Sequence, residues 1–425
     1  MIGDQRDPGQ LRALQLRALA RYVTEEVYPY SPFYRARLDG AGLGRQASGD
    51  AILRSLPPTS FADIHDPGEL VLRPDEKTIQ RFASARLLVK VAWAKFQRRA
   101  DRVNRDVIDP TYKPVRWVIA DGVTIGYTDD DIERLAEQGR RWLALAGLGR
   151  YDVIVNLLPA APDVAWWELV EGARLAGVSA LHLPYGVTPH QLDVIRPTVI
   201  AGQVDDLVAL LRATPSDAVA SVHTLLAVGA PLADDVRASL QSMLPAGAAV
   251  VAAWAPPGVR SLWVECRGGT GAHIAPDVDV LEVVDGGLVW SGLEWKGTAL
   301  LRLRTGATGR VDSSPCPVCG RTSPRVVDAS LDPRFVTLLD ATPEVTAWQA
   351  ELRTVNGVDE LIVHLAVDTG GNGDGAGAAG RRHPGRVLRA LDRELSVTQF
   401  VVTSADDIAA RLRASGNRRV LDRRG

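Results

Sequence analysis

Lysine is scarce in this chain, and its distribution is uneven. Of 425 residues only Lys77, Lys90, Lys95, Lys113 and Lys296 are lysines, and none follows position 296. Any chemistry that needs an ammonium group in the last quarter of the chain is excluded. Cysteine is equally rare: Cys266, Cys316 and Cys319 are the whole complement. Three thiols cannot pair completely, so a disulfide framework is a poor explanation for them. A marked excess of either charge is also missing. Formal net charge is -2, too small to steer the chain toward nucleic acid or an anionic membrane surface. No apolar run approaches ~18 uncharged residues, which argues against a membrane span. The opening Gly3-Asp4-Gln5-Arg6-Asp7 is polar and reads as no signal peptide, so a cytoplasmic location is expected.

What is present looks globular. Hydrophobic residues make up 46% and charged residues 24%, enough to bury a sizeable core at this length. An amphipathic helix is predicted from Pro8 to Tyr28, with Leu11, Leu14, Leu19, Tyr22 and Val23 on one face. Residues 80–106 read as a basic helix, either a solvated arginine face or a site for a phosphate-bearing ligand or acidic partner. From about 122 onward helices and strands alternate. Thr128 with Asp131 makes a capping-box start. Short apolar strands are expected at Asp152–Leu158, Val178–Leu183, Thr198–Gly202, Thr224–Val228 and Ala249–Trp254, with helices between. Continuously apolar strands separated by helices predict a parallel sheet covered on both faces. Residues 261 to 305 predict short strands with Gly-rich turns, and a smaller strand-and-helix unit follows. The expected fold is α/β: a large N-terminal domain, 1–325, with parallel sheets flanked by helices plus a β-rich subdomain, and a small α+β C-terminal domain, 326–425.

Cys316 and Cys319 form a C-x-x-C pair on a Pro-rich turn, and six residues separate Cys266 from His273. Such a pair can reach one tetrahedral ion, and the other two residues complete a closed Cys₃His set for structural zinc. A redox C-x-x-C is the alternative, but that motif opens a helix, whereas Pro315 and Pro317 favour a knuckle. Gly268-Gly269-Thr270-Gly271 has no following Lys and reads as the turn between two ligands. His182, at a strand's C-terminal end, is a candidate site residue, and Trp166 and Trp167 are candidates to line an aryl pocket. Glu168, Asp121 and Arg304 are further candidates.

The order of short motifs resembles the phenylacetate–CoA ligases within the AMP-forming acyl/aryl-CoA ligase superfamily. The matching pieces are Ser31-Pro32-Phe33-Tyr34-Arg35-Ala36-Arg37-Leu38, Leu56-Pro57-Pro58-Thr59, Gly126-Tyr127-Thr128 and Val228-Gly229-Ala230-Pro231-Leu232. They continue with the Cys-x₆-His stretch, Leu303-Arg304-Thr305-Gly306, Cys316-Pro317-Val318-Cys319-Gly320-Arg321-Thr322 and Arg419-Val420-Leu421-Asp422. The resemblance implies a carboxylate activated by ATP and Mg²⁺ and passed to CoA; Tyr127 is a further substrate-binding candidate beside Trp166 and Trp167.

Four parts of that chemistry are absent. The Ser/Thr/Gly-rich phosphate loop is replaced by Ile119-Ala120-Asp121-Gly122-Val123. The magnesium-binding Glu has no counterpart near Trp254-Ala255-Pro256. The ribose-binding Asp is Ala307, and the small-domain Lys is missing. Arg418 and Arg419, beside Asn417, are the cations nearest its place, though their geometry differs from an ammonium's. The expectation is a degenerate, pseudoenzyme-like protein that binds an acyl, aryl or CoA-linked molecule or a protein partner. ATP, Mg²⁺ and CoA are not expected as working cofactors. An active ligase with substituted residues is the first alternative, and different chemistry on a pre-activated acyl substrate the second.

Overall fold

The computed structural model describes residues 6–82, 89, 93, 108–120, 123–160, 164–183, 187–331, 339, 342, 344–355, 358–368, 387–388, 391, 399–414 and 420–422. The basic stretch at 80–106 therefore lies almost wholly outside the described residues, as do Asp121, Asn417, Arg418 and Arg419. The chain divides into two compact units, Met1–Leu331 and Asp332–Gly425.

In the first unit, helix α1 (Pro8–Tyr22) begins at Asp7, whose carboxylate accepts the Gly9 and Gln10 N–H groups. The amphipathic pattern runs on to Tyr28, but the backbone widens to a π-helical turn over Val23–Val27. That turn carries Glu26, which pairs with the Lys296 ammonium and accepts the Tyr112 hydroxyl at 2.8 Å. Helix α2 (Pro32–Gly40) is capped by Ser31. Strands β1 (Arg116–Ala120) and β2 (Val123–Tyr127) form an antiparallel hairpin in which Ala120 faces Val123. Two residues join them.

Helix α3 (Asp129–Leu145) starts at the expected capping box. Asp131 is fully buried and takes backbone N–H groups from Thr128, Lys296 and Gly297. One carboxylate thus ends the hairpin, starts the helix and ties both to a loop more than 160 positions away. Then come β3 (Val153–Asn156), α4 (Val164–Ala176), β4 (Ser179–His182), α5 (Pro189–Ile195), β5 (Val199–Gly202), α6 (Val204–Ala213), β6 (Thr224–Val228), α7 (Asp234–Ser242) and β7 (Ala249–Trp254). Helices α3 and α4 cross where Gly139 meets Gly172. A Cβ on Gly139 would stand 2.0 Å from the Glu168 carbonyl oxygen, so only glycine permits this approach.

The strands after β7 do not make a separate body. Strands β8 (Trp263–Glu265), β9 (Ala272–His273), β10 (Asp279–Val284), β11 (Gly287–Gly292), β12 (Leu303–Asp312) and β13 (Arg325–Leu331) extend the same sheet. Its order is β10-β11-β12-β13-β9-β8-β7-β6-β5-β3-β4. Strands β4, β3, β5, β6 and β7 are parallel, and pairing turns antiparallel from β8 onward. The β-rich part grows from the parallel part through two very short strands. Trp254, Trp263, Trp290 and Trp295 are among the largest fully buried side chains.

In the second unit, β14 (Val345–Val355) and β15 (Val358–Val367) pair antiparallel; β16 (Gln399–Val402) and β17 (Val420–Asp422) add parallel edges, and α8 (Ala405–Ala414) accompanies them. The whole is a mixed α/β fold, as expected.

Candidate metal centre and ligand edge

Cys266 follows β8, His273 lies in β9, and Cys316 and Cys319 sit on the turn between β12 and β13. Their ligand atoms all lie within 4.8 Å of one another, and three of the four residues are buried. The Cys266 and Cys316 sulfurs are 3.8 Å apart, and Cys319 Sγ is 3.6 Å from His273 Nε2. A tetrahedral ion with metal–sulfur bonds of ~2.3 Å has sulfur–sulfur edges of ~3.8 Å, so the residues present fit zinc. His273 Nδ1 bonds Ser323 Oγ at 2.9 Å, which orients the ring and leaves Nε2 for a metal. Burial, with Arg325 and Arg321 nearby, pushes the His273 pKa down to about 4, so the ring is neutral. Burial alone would raise the Cys316 thiol. The Cys319 N–H, the Thr270 hydroxyl and the Val318 N–H outweigh it and bring the pKa to about 6. Cys266 moves the other way, raised by burial and by its fellow thiols. The Gly-rich stretch is a turn: Gly269 N–H bonds the Cys266 carbonyl, and Thr270 Oγ1 lies 3.2 Å from Cys316 Sγ.

The second group of residues gathers at the C-terminal ends of the parallel strands. The order β4-β3-β5-β6-β7 places the chain's reversal of direction between β3 and β5, the crevice where open α/β sheets take ligands. Asn156 ends β3, which borders that crevice, and is fully buried; His182 ends the edge strand β4, on the other side of β3. Asn156 Nδ2 lies 3.0 Å from His182 Nδ1. Trp166, near the start of α4, lies 5.7 Å from the His182 ring and 4.6 Å, edge-on, from Trp167. The Arg116 guanidinium stacks 3.6 Å over Trp167 and pairs with Glu171 at 3.6 Å. Hairpin, helix and strand ends thus share one aromatic edge.

The other candidates lie elsewhere. Tyr127 is buried in the core, edge-on to Trp295 and facing Arg260; burial pushes its pKa up to about 12. Glu168 is buried and accepts the Leu262 N–H at 2.7 Å; it lines a cavity of about 170 Å³ beside the metal centre, with Trp142, His273 and Asp277. Arg304 is half-exposed near Asp285. Asn156 escaped the sequence reading, although a lone polar residue ending an apolar strand is a visible signal.

No family model and no curated protein matches the sequence. The structure has clear counterparts. A crystal structure of 2-hydroxyisobutyryl-CoA ligase in complex with 2-HIB-AMP and CoA, in the thioesterification state, aligns with 99% of this chain and 91% of that one. Its TM-score is 0.65 and its identity 16%. The fold is that of an adenylate-forming acyl-CoA ligase. An open conformation of the same ligase with 2-HIB-AMP and CoA aligns at TM-score 0.58 and 15% identity, over 96% of this chain and 90% of that one. A postadenylation state with 2-HIB-AMP aligns at 0.59 and 16%, over 99% and 91%.

Ile119, Ala120 and Val123, which the sequence resemblance sets at the phosphate loop, lie in the paired strands β1 and β2, and β2 runs on through Gly126-Tyr127. Asp121-Gly122 is a dipeptide that tight two-residue hairpins favour. Pro256 follows the end of β7, and Ala307 is buried within β12. Among the described residues no helix is long and apolar enough to cross a membrane.

Proposed function

We propose that this protein keeps the acyl-CoA ligase fold without the usual adenylation chemistry, and that it binds an acyl or aryl group, CoA-linked or free, at the edge formed by Asn156, His182, Trp166 and Trp167. The observation that carries this reading is the hairpin. Cradling phosphates takes several successive backbone N–H groups in a loop, whereas here Ile119 and Ala120 pair with Thr124 and Val123 as strands, with only two residues of sequence between them. Pro256, Ala307 and the absence of lysine after Lys296 point the same way. Each lost charge-stabilising group is worth ~3–4 kcal/mol in a transition state, so the combined loss leaves adenylation too slow to serve.

A second reading is favoured by the small unit itself, whose four-stranded sheet and helix a pure binding protein would not need. In that reading an active ligase uses Arg418 or Arg419 where the ammonium is missing. Calorimetric titration with Mg-ATP, followed by pyrophosphate exchange against a panel of aryl and aliphatic acids, separates the two. The expected result is no ATP binding and no exchange. Exchange above background with any acid overturns the proposal in favour of the second reading.

A further inference from the structure

Asn156 and His182 fix a proton. Asn156 is fully buried, and its Oδ1 accepts the Leu158 N–H at 3.0 Å. The reversed amide would set an NH₂ group against that N–H, donor against donor, so the backbone decides which way the side chain points. The amide nitrogen therefore faces His182 Nδ1 at 3.0 Å. An amide nitrogen can only donate. Nδ1 must accept, and a neutral ring then carries its hydrogen on Nε2. Protonating Nδ1 would aim two donors at each other. Burial also lowers the pKa of His182, which keeps the ring neutral near pH 7. The imidazole is half-buried, and among the described residues its hydrogen bond is the one at Nδ1, which leaves Nε2 open to a ligand.

We infer that His182 is a fixed Nε2–H hydrogen-bond donor for a neutral acyl carbonyl oxygen, as in an aryl thioester, and not a proton acceptor. The inference rests on the proposed ligand edge. The neighbouring rings of Trp166 and Trp167 suit an aryl body. A neutral donor suits a neutral acceptor: a free carboxylate would favour imidazolium, which Asn156 opposes. His182 thus favours pre-activated acyl groups over free acids, and Asn156 is the positioning residue behind it.

Long-range ¹⁵N spectra of the zinc-loaded full chain, with the His182 signals identified through His182→Gln, read the tautomer directly. The expected pattern at pH 7 is a protonated Nε2 and an unprotonated Nδ1. A protonated Nδ1, or an imidazolium, overturns the inference while leaving the ligand edge intact. In Asn156→Asp a carboxylate would take the Nδ1 hydrogen and the pattern should reverse. Titration with benzoyl-CoA, CoA and benzoate tests the ligand. Benzoyl-CoA should bind more tightly than either CoA or benzoate. His182→Leu should weaken it about tenfold, while His182→Gln, which keeps an N–H donor, stays within about threefold of wild type. Equal affinity for benzoate and benzoyl-CoA, or no effect of His182→Leu, overturns the inference. A wild-type protein that binds none of the three overturns the proposed edge and the ligand half of the inference with it, whatever the tautomer.

Discussion

Two residues show how the immediate surroundings set charge in this molecule. Cys316 is a thiolate near neutral pH because backbone amides and a hydroxyl surround its sulfur, which prepares the centre for a cation. Freshly purified protein is expected to hold about one zinc per chain by elemental analysis. Cys316→Ser should release it and cost at least about 3 kcal/mol in chemical denaturation. Asp279 is the opposite case. It is fully buried, accepts from Ser261 and Trp290, and burial lifts its pKa from 3.8 to about 7. The folded state then holds a proton that the unfolded chain gives up. Its contribution is complete below pH ~4 and is lost as pH rises toward 7. Wild type should lose stability relative to Asp279→Asn across that window, measured by urea midpoints at each pH. A constant difference between the two would argue against the assignment.

Elements are legible to the degree that burial is two-sided or chemistry is distinctive. The parallel strands were readable because helices cover both faces and force unbroken apolar runs, as in Thr224–Val228. The capping box before α3 and the cluster of Cys266, His273, Cys316 and Cys319 were readable from side-chain chemistry. The β1–β2 hairpin was not: Trp117 is half-exposed, its strands do not look like core, and Asp121-Gly122 was the one clear signal. Strands β8 and β9 are too short for any periodicity, so the single continuous sheet could not be foreseen. Asn156 was missed because its role depends on a neighbour 26 positions away. The α3–α4 crossing is a contact no pattern reveals. Gly139→Ala should cost ~2 kcal/mol or more by forcing the helices apart, visible as a lower thermal midpoint. A neutral result would mean that the crossing relaxes freely.

At the scale of the whole molecule, the candidate metal centre sits where the sheet changes from parallel to antiparallel pairing. Strand β9 has only two residues, Ala272 and His273, yet it bridges β8 and β13. So short a strand carries no apolar alternation to choose its own alignment, and a slip of one residue turns every side chain to the opposite face. Such a slip would carry His273 away from the three sulfurs. With an ion bound, coordination therefore does for β9 what sequence pattern does for longer strands. It selects one alignment, and it ties the two halves of an eleven-stranded sheet into a single register.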